Sequence, residues 1–362
     1  MNKKSMKKIS VLVVDDSALV RELLSQGLSE DPEIEVIGTA HDPYQARDIL
    51  VLKEPDVITL DVEMPRMDGI TFLKKFMEII PTPTIMVSSL TENNKRLTMN
   101  ALEAGAVDIV PKPKAGLVDG LPAMMKELIQ KVKMASTVNV SKVRPKSVKP
   151  LNVNTSIQHA LDESTDRVIA IGSSTGGTEA LARILPIFPP ASPGIVIVQH
   201  MPADFTASLA ERLNRLAMMN VKEAQNGDRI ISGQVLIAPG GEKHLKVHRY
   251  GGQYRIKLVN GEPVSSHRPS VDVMFESIAK AVGKNSVAVL MTGMGRDGAE
   301  GLLKIKNNGG RTFVQDERTS VVFGMPKVGW QLGAAEAMVP LGDIPLTVMN
   351  ALKRSQSRKE KK

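Results

Sequence analysis

The stretch VIAIGSSTGGTEAL, Val168 to Leu181, decides how the second half of this chain folds. Val168 to Ile171 is an apolar run of strand length, and Thr178 to Leu185 returns to the spacing of an amphipathic helix. Gly172 to Gly177 is then the turn between them, and a buried strand feeding a helix through a short glycine-rich turn is the unit of a parallel α/β sheet. Ligands in such sheets bind beyond the carboxyl ends of the strands, where the first N–H groups of the following helix lack partners. Three readings of the turn stand side by side. The loop cradles a phosphate with its backbone; it presents a serine nucleophile, since Gly172, Ser174 and Gly176 spell G-x-S-x-G; or it is a tight strand-to-helix turn and nothing more.

The segments around it extend the pattern. Gly194–Val198, Val235–Ala238, Ser286–Thr292 and Arg311–Val314 read as further strands. Alternation from His244 to Leu258, broken by GGQ, predicts an antiparallel hairpin of Leu245–Tyr250 and Tyr254–Val259. In the first half, strands at Val11–Val14, Val36–Gly38, Val57–Leu60, Thr84–Val87 and Ala106–Val110 alternate with helices at Ala18–Ser29, Tyr44–Lys53, Gly69–Ile80 and Lys95–Ala104, and a helix over Leu121–Met134 closes the set. Both halves are α/β, each expected as a doubly wound parallel sheet. Between them NVSKVRPKSVKPLNVNTSIQ, from Asn139, has no sustained period. The expected organisation is a basic tail (1–8), a first domain (9–134), a linker (135–165), a second domain (166–352) and a second basic tail (353–362), without internal repeats.

A chain of 362 residues suits two domains of ordinary size, and 42% hydrophobic with 24% charged residues is a globular composition. No apolar run approaches a membrane span and the N-terminus leads into a strand, so a cytoplasmic protein with no membrane insertion is expected. The absence of cysteine excludes disulfides, thiolate metal sites and cysteine nucleophiles. The formal charge of +8 invites a nucleic-acid reading, but the two tails and the linker carry +11, which leaves the folded parts at −3. No nucleic-acid partner is therefore expected, and the βα pattern of residues 166–352 argues against a basic helix-turn-helix domain there.

Acids cluster at the strand ends of the first half. Asp15 and Asp16 follow the first strand, and Asp61 follows the third in LDVEMPRMDG. Carboxylates brought together at a switch point repel unless a cation sits among them, and oxygen ligands with open water positions suit Mg²⁺. Ser88 and Lys112 end the fourth and fifth strands and add a hydroxyl and an ammonium. Any one acid would pass as a helix cap; five such positions would each need a separate reason. Over Ile9–Met134, through VVDDSALVR, DVEMPRMDG, MVSS and PKP, this half resembles the receiver domain of two-component response regulators, a flavodoxin-like fold. The resemblance implies that Asp61 accepts a phosphoryl group from a chemotaxis histidine kinase. It implies Mg²⁺ on Asp16, Asp61 and the carbonyl of Glu63, support from Asp15, and phosphate sensing by Ser88 and Lys112. Ile109 departs from the pattern, standing where many receivers have an aromatic switch residue.

A serine hydroxyl needs a base beside it. Of six histidines, His41 lies in the first half and His159 in the linker, while His244 and His248 share a strand face without a third ligand nearby. His267, before Arg268 and Pro269 in an irregular loop, is a site-lining candidate. His200 ends the strand GIVIVQH, and Asp297 lies in the glycine-rich turn of SVAVLMTGMGRDGAEGL, so Ser174, His200 and Asp297 all project from one sheet edge. No histidine follows Asp297, which excludes the Ser, acid, His order of α/β-hydrolases. The missing lysine after the glycines argues against a phosphate-binding P-loop.

From about Asp166 to Leu352, through AIGSSTGG, VQHMP, PGG, HRPSVDVMF and VLMTGMGRDGAEG, the second half resembles the catalytic domain of the CheB chemotaxis methylesterase family, expected as a Rossmann-like sheet with the hairpin appended. The resemblance implies a phosphorylation-activated methylesterase and glutaminase acting on methyl-accepting chemotaxis receptors, with Ser174 as nucleophile, His200 as base and Asp297 as its orienter. Backbone N–H groups of Thr175, His200 or Met294 are the oxyanion candidates, Ser173 is a small turn residue, and no cofactor is expected at this site. Arg296 stands where relatives often have asparagine. The competing reading is a response regulator whose output domain acts by binding only.

Overall fold

The structure, a computed structural model, describes residues 7–89, 91–113, 117–140 and 166–357. The basic ends and most of the linker, with His159, lie outside the described residues. The chain divides into two compact units, Met1–Arg144 and Pro145–Lys362.

In the first unit five parallel strands, β1 (Ile9–Val14), β2 (Ile34–Ala40), β3 (Val57–Asp61), β4 (Thr84–Ser88) and β5 (Asp108–Pro111), lie in the order β2-β1-β3-β4-β5. They alternate with α1 (Ala18–Ser29), α2 (Pro43–Lys53), α3 (Gly69–Ile79), α4 (Glu92–Glu103) and α5 (Leu117–Ala135). Strands β3 and β4 are buried along their whole length, which is why they read as unbroken apolar runs. Asp42 and Asp68 cap α2 and α3 by accepting backbone N–H groups, the local signal that starts each helix. Helix α5 begins one turn ahead of Leu121 and carries Pro122 inside it.

The second unit holds seven parallel strands in the order β14-β13-β12-β6-β7-β9-β8. These are β6 (Val168–Ser173), β7 (Gly194–Gln199), β8 (Asn220–Glu223), β9 (Gln234–Ile237), β12 (Ser286–Leu290), β13 (Arg311–Gln315) and β14 (Ala337–Val339). Strands β10 (Lys243–Tyr250) and β11 (Gln253–Asn260) pair antiparallel as a separate ribbon. Helices α6 (Gly177–Ile184), α7 (Ala203–Leu216), α8 (Val271–Ala281), α9 (Ala299–Asn307), α10 (Met325–Gln331) and α11 (Ile344–Ser357) complete the unit. β6, β7 and β12 are buried at every position. The ribbon packs into the same apolar core, where Leu245, Val247 and Ile256 meet Phe275 and Ile278 of α8. Edge strands β8 and β14 carry no sequence signal: NVKE buries one residue and AMV spans three, too little pattern for a period to register. No described helix is long and apolar enough to cross a membrane.

Chain order places the functional edge in both sheets. From β6 the chain moves to β7, on to the edge strand β8 and back to β9 between them, then crosses to the other side of β6 with β12, so the switch point lies between β6 and β12. In the first sheet it lies between β1 and β3, beside Asp15, Asp16 and Asp61.

Candidate functional site

Ser174 leaves β6 at the switch point. Its N–H donates to the Thr292 carbonyl at 3.0 Å across to the loop after β12, and its own carbonyl accepts the Gly177 N–H at 2.7 Å as α6 begins. The left-handed conformation falls at Gly176 (φ +76°), while Ser174 is absent from the non-glycine residues of positive φ. This turn therefore lacks, at Ser174, the strain that a hydrolase elbow places on its serine, because the glycine two residues on takes the reversal instead. The Ser174 hydroxyl makes no hydrogen bond among the described residues.

His200 follows β7, the neighbour of β6, and its Nε2 lies 2.8 Å from Asp297 Oδ2 with both side chains almost fully buried. Its other ring nitrogen, Nδ1, is buried without a partner. A buried polar atom left unpaired costs about 1–3 kcal/mol, and with Nε2 committed to Asp297, Nδ1 is the nitrogen left to receive a proton. Apo catalytic hydrogen bonds are often incomplete and tighten when substrate binds.

Asp297 is fixed from four directions. It accepts the Ser270 hydroxyl at 2.7 Å and the N–H groups of Val271 (2.7 Å) and Asp272 (3.1 Å) at the start of α8, besides His200. Burial works to raise its pKa, but the hydrogen bond and charge of His200, the Ser270 hydroxyl and the Val271 N–H hold it below the ordinary carboxylate value. Its neighbour Asp272 is driven the other way, to about 6, by burial and by the charge of Asp297 against the Gly301 N–H bond. The two neighbouring carboxyls thus titrate in different ranges, Asp297 giving up its proton before Asp272.

Three supports were not legible as such in the sequence. Buried Gln199 accepts the Ser173 hydroxyl at 2.6 Å and donates to the carbonyls of Ser174 (2.9 Å) and His200 (3.0 Å), tying the backbones of both residues to one amide. Ser173 is thereby a bonded strand residue, where the sequence suggested only a small turn residue. Gly293 lies so close to Ser174 that a Cβ there would sit 2.6 Å from Ser174 Cβ and 2.4 Å from Met325 Sδ. Gly293→Ala is accordingly expected to cost roughly 10²-fold in turnover, read by methanol release with the fold checked by thermal unfolding.

One oxyanion candidate is corrected. The His200 N–H donates to the Ser173 carbonyl at 3.0 Å and is consumed by the strand register. The Met294 N–H donates to no described residue and its side chain is exposed beside Gly293, while Thr175 directly follows Ser174. Buried His244 is structural: its Nδ1 accepts the Ser270 N–H (3.1 Å) and its Nε2 donates to the Glu262 carbonyl (2.9 Å). His41 bonds Gln45, away from the acidic pocket's carboxylates, and His248 joins no metal-capable cluster among the described residues.

In the first unit, carboxylate oxygens of Asp15, Asp16 and Asp61 lie within 4.8 Å of one another. Lys112 Nζ reaches into the group, 2.7 Å from Asp15 and 2.8 Å from Asp61. Burial raises Asp61 to about 6, with the Lys112 charge opposing and the Asp15 charge adding to the rise. One ammonium cannot offset three carboxylates, so an all-oxygen pocket with excess negative charge fits a hard divalent cation such as Mg²⁺. Asp16 and Glu63 are exposed to solvent. Ser88 is fully buried and its hydroxyl accepts from Thr98 at 3.0 Å. Ile109 is buried in β5.

A parallel-sheet receiver joined to an α/β domain with Ser174, His200 and Asp297 in the loops after three neighbouring strands defines a class: a response regulator with a hydrolase output domain. Residues 169–348 match the family described as CheB methylesterase, and residues 11–119 match the response regulator receiver domain. A protein-glutamate methylesterase/protein-glutamine glutaminase of Syntrophotalea carbinolica is 55% identical over 347 residues, covering 96% of this chain and 98% of that protein. One of the same name from Sulfurimonas denitrificans is 52% identical, covering 95% and 98%. The crystal structure of the Thermotoga maritima CheB methylesterase catalytic domain superposes with a TM-score of 0.50 at 39% identity, covering 51% of this chain and 97% of that one. The chain belongs to the CheB methylesterase family and carries its receiver domain in front.

Proposed function

We propose that this chain is a phosphorylation-activated serine hydrolase that removes methyl groups from glutamyl methyl esters of chemotaxis receptors and deamidates specific receptor glutamines. The observation that carries the reading is the buried His200–Asp297 pair, with His200 Nδ1 unpaired, its members following β7 and β12, the two strands that flank β6 and its Ser174 turn. His200 Nδ1 takes the Ser174 proton as Oγ attacks the ester carbonyl, and the proton passes to the departing methoxide to give methanol. Water then cleaves the acyl-serine by the same base, leaving glutamate; a glutamine substrate releases ammonia in place of methanol. Asp297, held ionised by its four hydrogen bonds, stabilises the imidazolium and fixes its Nε2 tautomer. The N–H groups of Met294 and Thr175 are the donors we assign to the oxyanion.

In the receiver, Asp61 is the acceptor of a phosphoryl group from a histidine kinase. Asp16, Asp61 and the Glu63 carbonyl would hold Mg²⁺, which neutralises phosphoryl charge when bound. Lys112, already drawn to Asp61, is set to follow the added charge, with Ser88 ending the adjacent strand. We place the reaction in the cytoplasm, with kinase and receptors as partners.

The test is methanol and ammonia release from receptor-bearing membranes by the full chain and by a chain lacking residues 1–150, each with and without acetyl phosphate. Phosphodonor should accelerate the full chain, and truncation should raise basal activity, by about 5–150-fold, the range of ordinary two-state coupling. A truncated enzyme no faster than the unphosphorylated full chain would show that the receiver does not restrain the site.

A further inference from the structure

His200 touches a group that the triad does not include. The His267 imidazole lies flat on the His200 ring, centroids 3.7 Å apart and planes within 5°. Asp297 fixes the His200 ring at one edge only, through Nε2. A single hydrogen bond at one edge leaves rotation about the line from Cβ through that bond weakly opposed, and such rotation would re-aim Nδ1. A flat ring pressed on the imidazole face opposes that rotation.

The chain is built to hold that second ring in place. Val264 and His267 exchange both backbone hydrogen bonds, at 3.1 and 2.9 Å, around Ser265 and Ser266. Both serines have positive φ, +52° and +65°, the conformation of a type I′ turn, which Asn-Gly adopts with less strain. The His267 ring is tied back to its own turn, Nδ1 donating to the Ser265 carbonyl at 2.6 Å, which fixes the ring's rotation. The next residue anchors the same segment to two other loops, Arg268 donating to the carbonyls of Gly241 (2.9 Å) and Gly261 (2.8 Å). Two residues further, Ser270 bonds Asp297. One short segment thus braces the base at His267 and the acid at Ser270.

We propose that His267 is a positioning residue for ester hydrolysis, its stacked ring holding His200 in the plane that joins Asp297 to Ser174. The proposal rests on the reading of His200 as the base. The acting feature is the aromatic face, so a ring without nitrogen at this position serves in its place, and a chain of similar polarity without a ring does not. Because the ring braces the base without contacting the ester, the effect falls on kcat and not on KM.

The experiment uses the full chain with acetyl phosphate, measuring methanol release against receptor concentration for His267→Ala, His267→Gln, His267→Phe and, as control, His200→Ala. His267→Ala and His267→Gln should lose kcat by about 10²-fold, the scale of a misplaced catalytic group. KM should stay within about twofold and His267→Phe should recover most of the rate. The rate at which a fluorophosphonate labels Ser174 should follow the same order, free of receptor binding. Full kcat in His267→Ala, a loss confined to KM, or a Phe variant as impaired as the Ala variant would overturn the proposal. If a variant does not fold, the wild-type chain decides: its histidine-labelled NMR spectrum should show a ring-current shift of the His200 ring protons, and an unshifted His200 overturns the stack itself. Activity retained in His200→Ala would instead defeat the base assignment on which the proposal stands.

Discussion

Ser174→Ala should lower methanol release by roughly 10³-fold or more, whereas Ser173→Ala should keep most of it, although the two hydroxyls are adjacent in sequence. The difference is one of partners. Ser173 Oγ is spent on Gln199 inside the strand, while Ser174 Oγ, beyond the strand end, is bonded to nothing described. Removing the Ser173 hydroxyl leaves the Gln199 acceptor unpaired, a stability cost of about 1–3 kcal/mol with a modest echo in rate. His200→Ala and Asp297→Asn should be severely impaired, and a double variant with Ser174→Ala should be no worse than Ser174→Ala alone, since residues acting as one unit do not add. Steady-state methanol release, with the fold checked by circular dichroism, decides the matter. Equal losses in the two serine variants would defeat the nucleophile assignment, and full activity in Ser174→Ala would leave an output domain that acts by binding.

Asp61→Asn should abolish phosphoryl uptake from a kinase or acetyl phosphate in Mg²⁺, and the full-length variant should stay at its basal rate whatever the donor. Asp61 is 5% exposed at the end of β3, 2.8 Å from Lys112, so the amide removes both the nucleophilic oxygen and the partner of that ammonium. Asp15→Asn should only weaken uptake, because Asp15 contacts the same ammonium but is placed here as support. Phosphoryl labelling that persists in Asp61→Asn would identify a different acceptor.

The apolar runs VLVV, VIAI and GIVIVQ announced buried parallel strands, and the structure has them buried at every position. Edge strands were a different matter: a strand with one face and one side open, such as β8, needs little apolar content and leaves little trace. The same contrast holds for histidines. His200 could be selected because it ends a strand, a local property, but the buried structural role of His244 depends on Ser270 and Glu262, both distant in sequence.

By itself, then, the sequence determined the two sheets, their switch points, and which residues stand at the strand ends: Asp15, Asp16, Asp61 and Lys112 in one, Ser174, His200 and Asp297 in the other. Periodicity and glycine placement are local, and a parallel sheet converts them into position with few alternatives. Tertiary structure alone decided which nitrogen of His200 meets Asp297, that the His200 N–H is taken by Ser173, that Gln199 ties two site residues together, and that His267 lies on His200. The backbone bond depends on strand register and the other three on side-chain rotation, all set by contacts between segments tens of residues apart in the chain, and no local pattern in the sequence encodes what only a distant neighbour constrains.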